Sequence, residues 1–150
     1  MHRFFVLAVL LAAATVASAA IAAPPTFQGP PPQPPLPFTD TTCGFDVTVT
    51  FLIFGQTAKT FSDGTTIITG PLAVEFSANG KSVTFHISGP VFIAADGIII
   101  GRGTGGGPVL TPNGAILAFA AGPALVTASG AAMLEHGTIL LNVCAALAGS

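Results

Sequence analysis

Few side chains in this sequence are equipped for chemistry. Glu75 and His86 form the first pair: if Asn79-Gly80 closes a two-residue turn, the flanking segments pair so that Thr84 meets Glu75 and His86 meets Ala73. The carboxylate and the imidazole are then diagonal neighbours on one face, an arrangement that can move a proton. Its simpler reading is an exposed cross-strand polar pair. Glu135-His136 is a second acid and imidazole, but adjacent strand residues point to opposite faces, so these two do not converge. The run Gly101-Arg102-Gly103-Thr104-Gly105-Gly106-Gly107 has the glycines and the cation of a phosphate cradle. Such cradles lead into a helix whose N-terminus faces the anion, and no helical pattern follows here. Gly-x-Ser-x-Gly is absent, which removes the usual nucleophile elbow. The two cysteines, Cys43 and Cys144, have no histidine spacing that would make a zinc site, and no metal or cofactor is expected.

Compartment comes from the first residues. Met1-His2-Arg3 is a short positive start, Phe4 to Ala14 is unbroken apolar, and small residues continue to Ala23. This is the pattern of an export signal over residues 1–22, with cleavage expected after Ala22, or after Ala19 as the alternative. An uncleaved anchor would need the same stretch to span a bilayer. The alanine-rich end and the missing stop-transfer flank favour cleavage, which leaves no integral membrane span. In an exported chain an even pair of cysteines reads as a disulfide, so Cys43–Cys144 is expected to join the start of the first strand to the end of the last.

Without Arg3 the chain carries three positive side chains, Lys59, Lys81 and Arg102, against six negative ones, a net charge of −3. No basic patch exists, so nucleic acid lacks its electrostatic attraction. Nine charges are few for a surface that in designed soluble domains is about 25–35% charged. Either the protein is a monomer that tolerates an apolar surface, or part of that surface is covered by a partner, a ligand or a second copy. Trp and Tyr are absent, which removes the rings on which sugars usually stack.

Residues 23–38 hold eight prolines, from Pro24 to Pro37, and read as an extended polyproline linker. The domain is expected over 39–150, and there the pattern is β. Asp63-Gly64, Asn79-Gly80, Asp96-Gly97 and Asn113-Gly114 recur every 16 or 17 residues, with a weaker turn at Ser129-Gly130. Such pairs suit two-residue hairpins. They divide the domain into six long strands, about 44–61, 65–78, 81–95, 98–112, 115–128 and 131–146. Two-residue turns throughout would set Gly70 opposite Gly89, Gly89 opposite Thr104 between Gly103 and Gly105, Gly105 opposite Gly122, and Gly122 opposite Gly137. A row of glycines at one level, at Gly70, Gly89, Gly105, Gly122 and Gly137, means that every strand bends at that level. The expected fold is all-β: an antiparallel up-and-down meander of about six glycine-bent strands closing into a small barrel or a coiled two-sheet sandwich.

The span from Cys43 to Val143-Cys144-Ala145-Ala146-Leu147-Ala148, with its Gly-Pro and Asp-Gly punctuation and its Gly103-Thr104-Gly105 element, resembles a group of short secreted proteins of high-GC actinobacteria. That resemblance implies no activity. The bent meander is also similar to small barrels of the allene oxide cyclase and dirigent kind, a likeness of fold that carries no function. Three functions follow as expectations. The first is a non-enzymatic secreted domain that binds by self-association or to a cell-envelope or extracellular partner. The second is a carrier of a small apolar ligand. The third is a cofactor-free isomerase or cyclase using Glu75 and His86.

Overall fold

The computed structural model describes residues 23–30, 33–127 and 129–149. The export signal expected over 1–22 lies outside them. The fold is predominantly β. Two short strands come first, β1 (Thr26–Gln28) and β2 (Phe38–Asp40). Six long strands follow, each cut in two: β3 (Val47–Phe54) with β4 (Thr57–Thr60), β5 (Thr66–Thr69) with β6 (Leu72–Ala78), β7 (Lys81–Ile87) with β8 (Val91–Ile93), β9 (Ile99–Gly101) with β10 (Thr104–Thr111), β11 (Gly114–Ala121) with β12 (Ala124–Val126), and β13 (Ala132–Leu134) with β14 (Thr138–Asn142). The chain then turns into a short helix, α1 (Val143–Leu147).

The cuts share one level. Below it, β4, β5, β8, β9, β12 and β13 pair antiparallel in that order, with β1 on the outer edge of β4. Above it, β2-β3-β6-β7 form a separate four-stranded sheet, and β10-β11-β14 continue the larger one. Glycines stand at the level itself. A side chain on Gly89 would strike the Arg102 carbonyl, one on Gly103 would strike the Ser88 carbonyl, and one on Gly122 would lie 2.7 Å from the Gly137 Cα. Gly70 meets Gly55 in the same way. The row therefore runs Gly55, Gly70, Gly89, Gly103, Gly122, Gly137. Gly105, expected in it, stands opposite Ala120 two residues further up.

The turns explain the change. Asn79-Gly80 closes the expected two-residue hairpin, with positive φ at both residues, and sets Val74 opposite Phe85 and Leu72 opposite Ile87. Around Asp96-Gly97 the loop has three residues: Ala94 N–H donates to Ile98 O and Gly97 N–H to Ala94 O. The Asp96 carboxylate accepts from Ile98 N–H. This is a type I turn followed by a left-handed glycine, and it moves the register by one. In the turn before β11, Pro112 cannot donate to a ladder and falls inside the loop, so Thr111 pairs with Gly114. Both shifts bring Gly103 into the row in place of Gly105. The three-residue form recurs at Gly64 and Gly130. Gly64, Gly97 and Gly130 are spaced 33 residues apart, so the lower sheet is one hairpin design used three times.

Two cores result. The larger holds Val47, Val49, Val74, Phe76, Leu117, Val143 and Leu147, between the four-stranded sheet, the upper face of β10-β11 and α1. Phe85 and Phe119 stack there at 4.3 Å. The smaller holds Val109, Ala118 and Ala120, where β13 folds over the other face of β10-β11 and pairs in parallel with it at Val109–Ala132. Burial of each Val, Leu or Phe side chain in these cores contributes about 1.5–3 kcal/mol.

Cys43 and Cys144 form a disulfide, with Cα atoms 5.1 Å apart. Cys144 sits in α1 and not at the end of the sixth strand, because the strand stops at Asn142, whose side chain accepts from Ala145 N–H as an N-cap. The bond does not close a barrel. Among the described residues β14 pairs only with β11, and β3 only with β2 and β6. The disulfide instead ties α1 to the segment leading into β3. The proline-rich stretch is not a free spacer throughout, since β1 and the first residues of β2 lie in it or at its end and pair with β4 and β3.

Candidate functional site

The residues expected to do chemistry are not gathered. Glu75 and His86 lie on the outer face of β6-β7, opposite Thr84 and Ala73. His86 is exposed, and neither residue is part of the cavity beneath β10. Glu135 and His136 are both exposed in the bend between β13 and β14. The glycine run from Gly101 to Gly107 forms the end of β9 and the start of β10, with no helix after it. Arg102 turns away from the run and lies over the Phe92 ring, 5.2 Å from its centroid. Thr104 is the run's one hydroxyl. It accepts from Ser88 N–H at 3.0 Å and lies 3.0 Å from the Ser88 hydroxyl, fastening β7 to β10 where they share a single bridge. Among the described residues no three His, Cys, Asp or Glu side chains converge as a metal group would.

What the fold does assemble is apolar, and it occurs in two places. The first is the outer face of the lower sheet. Directly opposed residues make a row across it: Lys59 faces Ile67, Ile67 faces Phe92, Phe92 faces Ile100, Ile100 faces Leu125, and Leu125 faces Met133. All five apolar members are at least partly exposed, Met133 by 45%. Lys59 stands on one side, its ammonium 5.1 Å from the Phe61 ring centroid and the exposed Phe27 of β1 paired beyond it, and Glu135 stands exposed just past β13 on the other. A sheet with one wet face alternates apolar and polar residues, as Lys81 to Ile87 does. Val91-Phe92-Ile93-Ala94 and Ile98-Ile99-Ile100 do not alternate, which is the pattern of strands covered on both faces. That signal was present in the sequence, but which face goes uncovered depends on the fold.

The second place is the inner face of the same sheet. Between it and β10-β11 lies a cavity of about 300 Å³. Its walls include Gly105, Gly107 and Ala120 on one side and Val91, Val126 and Leu134 on the other. Leu72 and Ile87 close it toward the larger core. Sequence reasoning assigned these glycines to a corner, and only the shifted register shows that they form a wall.

No known protein family, curated protein or solved structure matches this chain. Among the described residues no helix is long and apolar enough to cross a membrane.

Proposed function

We propose that the chain is an exported, non-enzymatic domain that works by self-association, and that the outer face of the lower sheet is where two copies meet. The observation that carries this reading is the part-exposed apolar row from Ile67 to Met133 on strands whose sequence is apolar on both faces. Its charges make the face self-complementary. A two-fold axis in the interface, parallel to the strands, sets Ile67 against Leu125 of the second copy and Phe92 against Ile100. The same operation brings Lys59 to the end that carries Glu135. Six strands about 4.8 Å apart make a face about 29 Å wide, enough to cover roughly 500 Å² per copy. That is the size of a reversible, concentration-dependent contact. Export is supported by the leader pattern and by the disulfide, which persists where thiols oxidise.

Native mass spectrometry and sedimentation of the oxidised protein test the proposal. Dimers that dissociate on dilution are expected. Phe92→Lys and Leu125→Lys are expected to be monomeric, with the disulfide and far-UV dichroism unchanged. A wild-type protein that stays monomeric at its highest soluble concentration overturns the reading.

A further inference from the structure

We infer that the cavity beneath β10 is a binding site for a small, uncharged, mainly apolar molecule of roughly a dozen non-hydrogen atoms. Its volume of about 300 Å³ is at the lower end of the range for ligand pockets. It is also about twice the ~150 Å³ that suffices, in an apolar protein cavity, to take up benzene. The cavity adjoins both cores and shares Val109 and Ala120 with the smaller one.

The identity of its wall residues argues against a packing accident. Gly107 and Gly105 lie within a strand, have no left-handed φ, and would place a Cβ where nothing lies within 4 Å. Neither the backbone nor a close neighbour requires glycine there. Glycine in a strand interior costs stability because it leaves more chain entropy to lose and packs nothing. The neighbouring Gly106 differs: a Cβ there would meet the Phe76 ring at 3.2 Å. On β11, the residues opposite Gly105 and Gly107 are Ala120 and Ala118, so small residues continue across the pair. Gly105, Gly107 and Ala120 line the cavity and leave that wall without side-chain bulk, opening to solvent at the exposed Gly105, while Val126 and Leu134 stand across from them.

The lining also sets the ligand's chemistry. Of the polar side chains along it, Arg102 is engaged with Phe92 on the opposite face, and the Thr104 hydroxyl is taken up by Ser88. Gln56 remains, half-buried at the crease, with an amide able to accept or donate one hydrogen bond. No charged group faces the interior to balance an ion, and burying an unpaired charge is costly. The site therefore suits a neutral molecule with an apolar body and at most one polar group, and it disfavours a carboxylate of the same size.

Naphthalene, 2-naphthol and 2-naphthoate are the probes, titrated against the full oxidised protein by fluorescence. Naphthalene and 2-naphthol are expected to bind one per chain, and 2-naphthoate at least tenfold more weakly. Gly107→Val is expected to fill the chamber and weaken naphthalene at least tenfold while leaving thermal stability equal or higher. Gln56→Leu is expected to weaken 2-naphthol and leave naphthalene unchanged. Leu125→Lys alters the outer face at a residue that does not line the cavity and is expected to leave naphthalene binding intact, which separates this site from the self-association surface. The inference fails if naphthalene does not bind at aqueous saturation, or if it binds Gly107→Val as well as the wild type. Should Gly107→Val fail to fold, Leu134→Phe fills the chamber from the roof and carries the same comparison.

Discussion

The side-chain amide of Asn79 donates to the carbonyl oxygen of Leu147 at 2.9 Å, joining the β6-β7 turn to the far end of the chain. Asn79 has φ of 52°, so one residue both makes the turn and anchors α1. Lys81 adds a hydrogen bond from its ammonium to the Ala148 carbonyl at 2.6 Å. Asn79→Gly keeps the left-handed turn and removes only the anchor. Urea denaturation is expected to show a loss of about 1 kcal/mol. Asn79→Val, a β-branched residue forced to positive φ, is expected to lose clearly more.

Gly89 and Gly105 are expected to respond in opposite ways to the same methyl group. Gly89→Ala drives a Cβ into the Arg102 carbonyl and forces a residue with φ of 102° into strain. A loss above about 3 kcal/mol is expected. Gly105→Ala meets nothing within 4 Å and is expected to be neutral or stabilising by up to about 1 kcal/mol. Thermal unfolding of the two variants decides whether the crease runs through Gly103, as described, or through Gly105.

Replacing both cysteines, Cys43→Ser with Cys144→Ser, is expected to cost 2–5 kcal/mol, because the bond closes a loop with a sequence separation of 101. Urea curves of the wild type with and without reductant should reproduce the difference. An unchanged midpoint would mean that the packing of Val143 and Leu147 and the Asn79 and Lys81 hydrogen bonds hold α1 without the disulfide.

The two ends of the apolar row offer a charge-swap test of the proposed dimer. Lys59→Glu is expected to weaken association, as is Glu135→Lys. The double variant should recover most of the loss if the two groups meet across the interface. Sedimentation at low salt reads this directly, and the recovery should shrink as salt rises.

Much of the meander was legible because turn residues declare themselves. Six strands and the Asn79-Gly80 register follow from turn chemistry, and the level of the bend follows from mid-strand glycines. The Asp-Gly turns were harder. Asparagine tolerates the left-handed region, whereas Asp63 and Asp96 use their carboxylates to accept from the N–H of Thr65 and Ile98, which favours the longer loop. One extra residue in the Asp96-Gly97 loop moves the register by one, the turn displaced by Pro112 moves the next register by two, and so Gly103 and Gly105 exchanged roles. The fold-over of β13 onto β10 was not legible. It depends on Ala132 and Leu134 packing against Val109, Ala118 and Ala120, and no local pattern announces that. The cavity follows from that contact and was hidden with it.

The glycine crease has a consequence for how the molecule comes apart. Each of the six long strands contributes one segment above the crease and one below, so no cut of the chain separates the upper sheet from the lower. Loss of one half would drag on the strands of the other. The two cores should therefore melt together, in a single cooperative transition, with the slowest-exchanging amides drawn from both sides of the crease at once.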